Sequence, residues 1–584
     1  MNLKRTAPYL RPLAGMALTA SILLTPAVAQ DFQQIAPKQP PKTGGPGTVS
    51  EEKPHKSSRP TGDEILVSQL KGVILTADPK EIKTEGVTGK PGVDPGNVIL
   101  AQKADFPAVV KPYLGQPVTL KLLSQMSRSI VAYFRDHDHP VVNVYVPDQQ
   151  ITSGYVQVVV LETRVEKVDA TGAKYFSNAM LRSQLRLGPG DDIRGGELRD
   201  DVAWINRNPF LQSDMLMAPG DAPGTTDLLL RTQDRFPLRV YGGYEDSGNR
   251  FTEEDRILAG FNYGNLFGVG QQFSYQYTQA PTKNDFSAHS ATYVIPLPWK
   301  HLLTFFGSYA TTSATLNDVF NSGGVNWQVS GRYEVPLPST DHFTESVTGG
   351  FDFKRSNDNL LFGVASVSNS VTDVDQLVLG YSGAYQDDYG STSFSATGFW
   401  SPGGISAYND DTDYVQQRDG ARDNYAYGQL TLARVTRLPA DFTWTIRGEL
   451  QESNANLLPS EQLGLGGYDT VRGYDEREVN GDNGYLISNE VATPPVSIGE
   501  FFGCSALKDQ LQFLGFIDYG GTSLHNVTPA DTNPNTNLLG VGPGLRYVIN
   551  PYVSVRFDYG FALMQTGFGT GEHSRGHVGV VISY

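Results

Sequence analysis

Two short stretches near the end of the chain each carry a charged residue whose surroundings call for a partner of opposite charge. Arg472 stands in Val471-Arg472-Gly473-Tyr474, within the glycine-rich run LGLGGYDTVRGYDEREVNGDNG, and Asp518 stands in Phe516-Ile517-Asp518-Tyr519-Gly520. A planar guanidinium donates two parallel bonds to a carboxylate, and glycines at 464, 466, 467 and 473 allow the tight turns of a loop tip. Asp518 falls inside a segment that reads as a membrane strand. An unpaired carboxylate there is costly toward lipid, so it must face the interior and calls for a cationic partner. A third feature is the terminal Tyr584, which shares one strand face with Val578, Val580 and Ile582. That alternation marks a lipid-facing strand whose last residue anchors at the interface.

Other residue types offer less chemistry. His137, Asp138 and His139 end a helical pattern just before Pro140, with no cysteine or third histidine nearby, so they are not read as a metal site. His573 and His577 flank the start of the last strand and are expected in solvent or the lumen. No GxSxG element, catalytic-cysteine context or phosphate loop occurs, so the reading is of neither an enzyme nor a cofactor protein. The single Cys504 excludes a disulfide within one chain. A formal net charge of −16 without any basic run excludes a general nucleic-acid binder. The expected partners are proteins and lipid.

The elements that must position these residues follow in order. Lys4, Arg5 and Arg11, an apolar stretch from Leu13 to Leu24 and then Ala27-Val28-Ala29 have the layout of a secretory signal peptide over 1–29. Residues 30–62 are rich in Pro, Gly, Lys and Ser and are expected to form a mobile periplasmic leader, because they bury too little apolar surface to offset ordering entropy. No helical apolar face stands out between Gln30 and Thr61. From 63 to 163 the pattern reads β-α-α-β-β, with Leu122, Leu123, Met126, Ile130, Val131 and Phe134 as one buried helical stripe. The insert Lys83 to Gly96 has the leader's low hydrophobicity. The same order of elements repeats over 164–234.

From 235 to 584 the composition turns to alternating apolar and polar segments of about ten residues, the weak signature of barrel strands. Sixteen are predicted, from Pro237–Asp246 to Gly576–Tyr584. They include Val325–Val335, Phe343–Arg355, Val374–Gln386, Phe442–Glu452, Gly484–Glu490 and Gln510–Tyr519. Pro-containing connections such as Pro296-Leu297-Pro298-Trp299 and Leu438-Pro439-Ala440-Asp441 fit the short periplasmic turns, since Pro ends a strand without leaving an unpaired donor. The fold class is thus α+β periplasmic domains followed by an all-β, sixteen-stranded antiparallel transmembrane barrel.

At this point the chain resembles the TpsB transporters of two-partner secretion (ShlB/FhaC/HecB-like haemolysin secretion/activation proteins), within the BamA-like outer-membrane superfamily. The likeness is carried by WINRNPF at Trp204 to Phe210, PGTTDLLL, DRFPLRVYGGYEDSG, GNLFGVG, HSATYVIPLPW, the VRGY loop and GFIDYG, in this order. It implies that the two α/β modules are polypeptide-transport-associated (POTRA) domains. It also implies a sixth extracellular loop that folds back into the barrel, where Arg472 pairs with Asp518, Gly473 permits the loop tip and Tyr474 packs beside it. Tyr584 would serve recognition by the barrel assembly machinery. The implied function is nucleotide-free export of a large β-rich, TpsA-like exoprotein from the bacterial outer membrane. Rival readings are an assembly factor like BamA or TamA, which usually carries more POTRA domains, and a passive porin, which would leave the α/β modules without a role.

Overall fold

The computed structural model describes residues 35–41, 47–51, 62–249, 252–282, 285–315, 320–340, 342–362, 365–504, 507–529, 531, 533–549, 551–567 and 573–584. The signal peptide expected over 1–29 lies outside them. The chain divides into two compact units, Lys42–Phe236 and Met1–Pro41 with Pro237–Tyr584.

The first unit holds both α/β modules. In the first, strands Gly72–Thr76, Val142–Tyr145 and Tyr155–Glu162 form a mixed sheet backed by the helix Leu120–Asp136. Thr119 caps this helix by accepting the Leu122 N–H, and its apolar stripe meets Val73, Leu75, Val156, Val158 and Val160 in one core. Each such side chain withdrawn from water contributes about 1.5–3 kcal/mol, which is what holds a helix of this length on a sheet this small. The insert departs from its expected character. Gly92–Asp94 adds a parallel strand to Gly72–Thr76, and the Lys83 backbone exchanges bonds with the buried Gln157 amide. Pairing of its backbone, not apolar content, orders it.

In the second module Leu211–Pro219, Thr225–Asp234 and Arg164–Thr171 form the sheet, with helices Asn178–Ser183 and Gly195–Ile205 upon it. His137-Asp138-His139 turn out to be a joint between the modules. The Asp138 carboxylate accepts the Gly196 N–H (2.6 Å) at a helix start that lacks a side-chain cap of its own. His139 lies between Glu162 and Arg194, at 2.6 and 2.5 Å. His137 stays within the first module, its Nδ1 2.8 Å from the Tyr133 carbonyl oxygen and its Nε2 3.6 Å from Asp105.

In the second unit sixteen strands close among the described residues, each antiparallel to the next, and the last, Ser574–Ser583, pairs with the first, Leu238–Glu245. Tyr584 lies past the final strand but continues the seam, exchanging both backbone bonds with Val240 (2.9 and 3.0 Å), while its side chain stands exposed. Burial is inverted relative to a water-soluble protein. Gln276, Ser290, Asn326 and Gln376 are buried inside, while Phe305, Val329, Leu379, Leu432, Phe513 and Ile582 stand exposed outside, as a lipid-facing wall requires. The sixth to eighth strands, Phe320–Pro336, Phe343–Phe362 and Ala365–Asp387, run well beyond their predicted ends. Their extensions are mostly polar and lack strict alternation, and register pairing rather than hydropathy continues them.

The described parts of the leader, 35–41 and 47–51, are the main correction to the sequence reading. Ile35 is buried against Ala280, Phe286, Ala288 and Ala310 on the inner wall. The Lys38 backbone bonds Tyr241, Gln276, Arg239 and Asn262, and its ammonium meets Glu245 at 2.7 Å. Within the other unit, Val49–Glu51 adds a parallel strand to the edge of Leu211–Pro219. Composition predicts mobility because it counts apolar surface. Here the main chain supplies the bonds instead.

Candidate functional site

The connection between the eleventh strand, Thr443–Ser453, and the twelfth, Asn483–Ala492, is a loop that turns into the barrel. Leu463–Leu465 and Val479–Gly481 pair as a two-stranded ribbon and carry the tip between them. Leu463, Leu465, Val471, Tyr474 and Val479 share one buried cluster with Leu486 and Leu538 of the wall. This apolar seal brings Arg472 to the inner wall and keeps water from its charge.

Arg472 is gripped from several strands. Its Nε donates to Asp518 Oδ2 at 2.7 Å and its Nη2 to Asp518 Oδ1 at 2.9 Å, the parallel fork of a bidentate pair. The Arg472 N–H also reaches Asp518 Oδ2 (3.2 Å), and the Ser488 hydroxyl donates to Oδ1 (2.6 Å). Nη1 meets Glu490 at 3.1 Å and Asp558 at 3.5 Å. The guanidinium carbon lies 3.5 Å from the centroid of the Phe516 ring, a cation over an aromatic face. Asp558 is in turn held by Arg546 and Arg556, both at 2.8 Å. Arg556 lies over the Tyr468 ring of the loop and pairs with Asp469. Cations and carboxylates of loop and wall therefore interleave, and no member can leave without exposing another's charge.

Gly473 has φ 100°, a conformation that L side chains rarely adopt. A methyl group on it would fall 2.9 Å from the Gly560 carbonyl carbon. The wall answers with glycines of its own. A Cβ at Gly540 would sit 2.0 Å from the Arg472 carbonyl oxygen, and one at Gly520 would sit 2.8 Å from Leu465. The Gly473 N–H donates to His577 Nε2 (3.2 Å), so this nitrogen is an acceptor and the ring's proton belongs on Nδ1, 3.3 Å from Asp246. The Tyr474 hydroxyl accepts the amides of Leu539 (3.2 Å) and Met564 (3.0 Å), docking the tip against the fourteenth strand, Asn535–Ile549, and the end of the fifteenth, Val553–Ala562.

The structure thus brings Val471, Arg472, Gly473, Tyr474, Phe516, Asp518 and Gly520 to one place, with Tyr584 apart at the seam. Glu490, Asp558, Ser488 and His577 belong to the site and were not singled out from sequence. His577, expected in solvent or the lumen, faces inward and is fully buried beneath the loop tip. One signal pointed to it: it alternates with Val578, Val580 and Ile582, and so faces inward. Glu490 and Asp558 carry the same inward parity on the twelfth and fifteenth strands.

A family model described as haemolysin secretion/activation protein ShlB/FhaC/HecB matches residues 224–547, and a model of the ShlB-type POTRA domain matches residues 93–163. The heme/hemopexin transporter protein HuxB of Haemophilus influenzae (strain 86-028NP) is 23% identical over 474 residues, covering 77% of this chain and 80% of that protein. The outer membrane transporter CdiB of Dickeya dadantii (strain 3937) is 22% identical over 406 residues, covering 68% and 70%. Among solved structures, CdiB from Escherichia coli superposes with a TM-score of 0.72 at 16% identity, covering 99% of this chain and 100% of the other. CdiB from Acinetobacter baumannii gives 0.63 at 17% identity, with the same coverage. At such identities the two structures speak to the fold.

Proposed function

The chain belongs to the ShlB/FhaC/HecB family of haemolysin secretion/activation proteins, and from that premise we propose how this outer-membrane transporter of two-partner secretion moves its partner. The partner is a large β-rich exoprotein of the TpsA type. Its unfolded secretion domain is captured in the periplasm by adding a strand to a POTRA sheet edge. In the second module the edge at Leu211–Pro219 is held by Val49–Glu51. Among the described strands, Val142–Tyr145 of the first module pairs only with Tyr155–Glu162, and Arg164–Thr171 of the second only with Thr225–Asp234, so each module offers an edge for the capture.

The exoprotein then crosses the polar lumen as an extended chain and folds outside, and the free energy of folding opposes return. The observation that carries this reading is the loop tip held inside the barrel by the buried Arg472 and Asp518. A passive pore has no use for a latch across its lumen, whereas a conduit for a large chain must close when idle. Arg472 is the latch, Asp518, Glu490 and Asp558 are its seat, and Gly473 and Tyr474 fix the tip. Tyr584 and the seam strand serve recognition by the barrel assembly machinery, and the exposed apolar wall meets outer-membrane lipid. The test is export of the cognate exoprotein from cells with and without this chain. Secretion that depends on the chain supports the reading, and secretion that proceeds without it overturns it.

A further inference from the structure

The root of the same loop carries a second buried charge that the latch does not use. Glu461 lies eleven residues before Arg472 and is almost fully buried, 3% exposed. Its carboxylate receives Lys354 Nζ at 2.8 and 3.0 Å, Gln376 Nε2 at 3.1 Å and the Tyr427 hydroxyl at 2.9 Å. These donors come from the seventh, eighth and tenth strands, the last being Asn424–Arg437. The wall that receives Arg472 belongs to the twelfth, thirteenth and fifteenth. A surface loop needs no buried carboxylate, and removing one from water is expensive unless every lone pair is met. Here five donor contacts meet it, the fifth from the hydroxyl of the neighbouring Ser460 at 3.0 Å.

The surroundings make this a built seat. Tyr425 donates to Gln376 (3.1 Å) and so orients the amide that serves Glu461. Ala455, Leu457 and Leu458 of the loop pack with Tyr414, Ala421, Tyr425 and Tyr427 in one buried cluster. Tyr414 and Ala421 come from the connection between the ninth strand, Gly390–Pro402, and the tenth, so a second connection folds inward beside the first. Arg418 of that connection pairs with Asp482, where the loop rejoins the wall, and Asp482 also accepts the Leu457 and His525 amides (2.8 and 2.9 Å). The loop is therefore tied at its root and at its tip to separate groups of strands.

We propose that Glu461 is a second, independent anchor of the loop, a positioning residue that keeps the lumen shut from the root while Arg472 keeps it shut from the tip. The inference rests on the reading of the lumen as the export route. Release of the tip alone leaves the loop tethered at Glu461, so passage of a chain requires both anchors to yield or the loop to pivot about the root. Lys354 and Tyr427 act through Glu461.

The test is ion conductance of the purified full-length protein in planar lipid bilayers, which needs no exoprotein and so separates failure of the anchor from failure of the export reading. Glu461→Gln should raise the frequency of open-channel events on the order of tenfold or more, since it removes the charge through which the loop root holds the Lys354 ammonium. The double variant Lys354→Met with Glu461→Gln removes both charges of the contact together, so it should assemble as the native chain does and should open comparably to the single variant. In both, heat-modifiable mobility should stay native, which separates an opened gate from a damaged barrel. Conductance of the assembled double variant at the native level would overturn the proposal.

Discussion

Two segments of this chain lie inside the barrel, the loop tip around Arg472 and the leader around Lys38, and they are held in opposite ways. Arg472 is 5% exposed and its partner Asp518 0%, with a bidentate pair, a second ring of carboxylates and an aromatic face. Lys38 is 32% exposed against 8% for Glu245, a single contact, and most of the leader's bonds are made by its main chain. Breaking a buried pair by removing one partner costs about 3–5 kcal/mol. A partly exposed pair is worth about 0–1 kcal/mol. The tip is thus locked by side-chain identity, whereas the stretch 35–41 is laid along the wall chiefly by its backbone, so a change at Lys38 is tolerated.

The sharpest way to break this contrast is Arg472→Ala, which strands Asp518 in a confined lumen. Export of the cognate exoprotein should fall on the order of tenfold or more while the barrel remains in the membrane, as immunoblots of culture medium and outer membrane would record. Tyr584→Asp tests a separate claim, that the seam governs assembly. The amount of heat-modifiable barrel should fall more than the export per assembled barrel, because the final backbone pairs with Val240 and the apolar end faces outward. A native amount of the heat-modifiable form in that variant would mean that Tyr584 is no assembly signal.

Lys38→Met should have a modest effect. Channel opening should rise by less than roughly fivefold, the equivalent of about 1 kcal/mol, and a rise as large as that of a latch variant would erase the distinction between the two segments. The smallest effect is expected outside the membrane, in the first α/β module. The Tyr133 hydroxyl donates to Asp105 at 2.8 Å and, with His137 nearby, holds that carboxyl below its ordinary range. A depressed carboxyl contributes stability that is present above the unfolded value of about 3.9 and is lost as pH falls through the folded value. Tyr133→Phe should therefore speed hydrogen exchange in Leu120–Asp136 slightly at neutral pH, and the difference from the native chain should vanish in acid.

How far these features were legible depended on which physical signal carried them. Alternation placed all sixteen strands, because one face meets lipid and the other the lumen, and it cut the sixth to eighth strands short at one end because their mostly polar extensions carry no such contrast. The helix Leu120–Asp136 was readable from its stripe, Leu122 to Phe134. The pairing of Arg472 with Asp518 came from the resemblance, since nothing local in either motif names the other. Glu490, Asp558 and His577 were hidden because a seat assembled from the twelfth, fifteenth and sixteenth strands has no sequence spacing. The strands at Val49–Glu51 and Gly92–Asp94 were missed for another reason, as three residues ordered by a neighbour's edge leave no periodicity.

The central claim is that the tip is held on the wall by the charge of Asp518, and its most direct test is exposure of the tip itself. Val471 is fully buried beside Arg472, so a Val471→Cys reporter in a Cys504→Ser background reacts with a membrane-impermeant maleimide only when the tip leaves its seat. Labelling on intact cells would be compared with and without Asp518→Asn. The account predicts labelling on the order of tenfold or more faster once the charge is removed. Equal rates in the two backgrounds would contradict it.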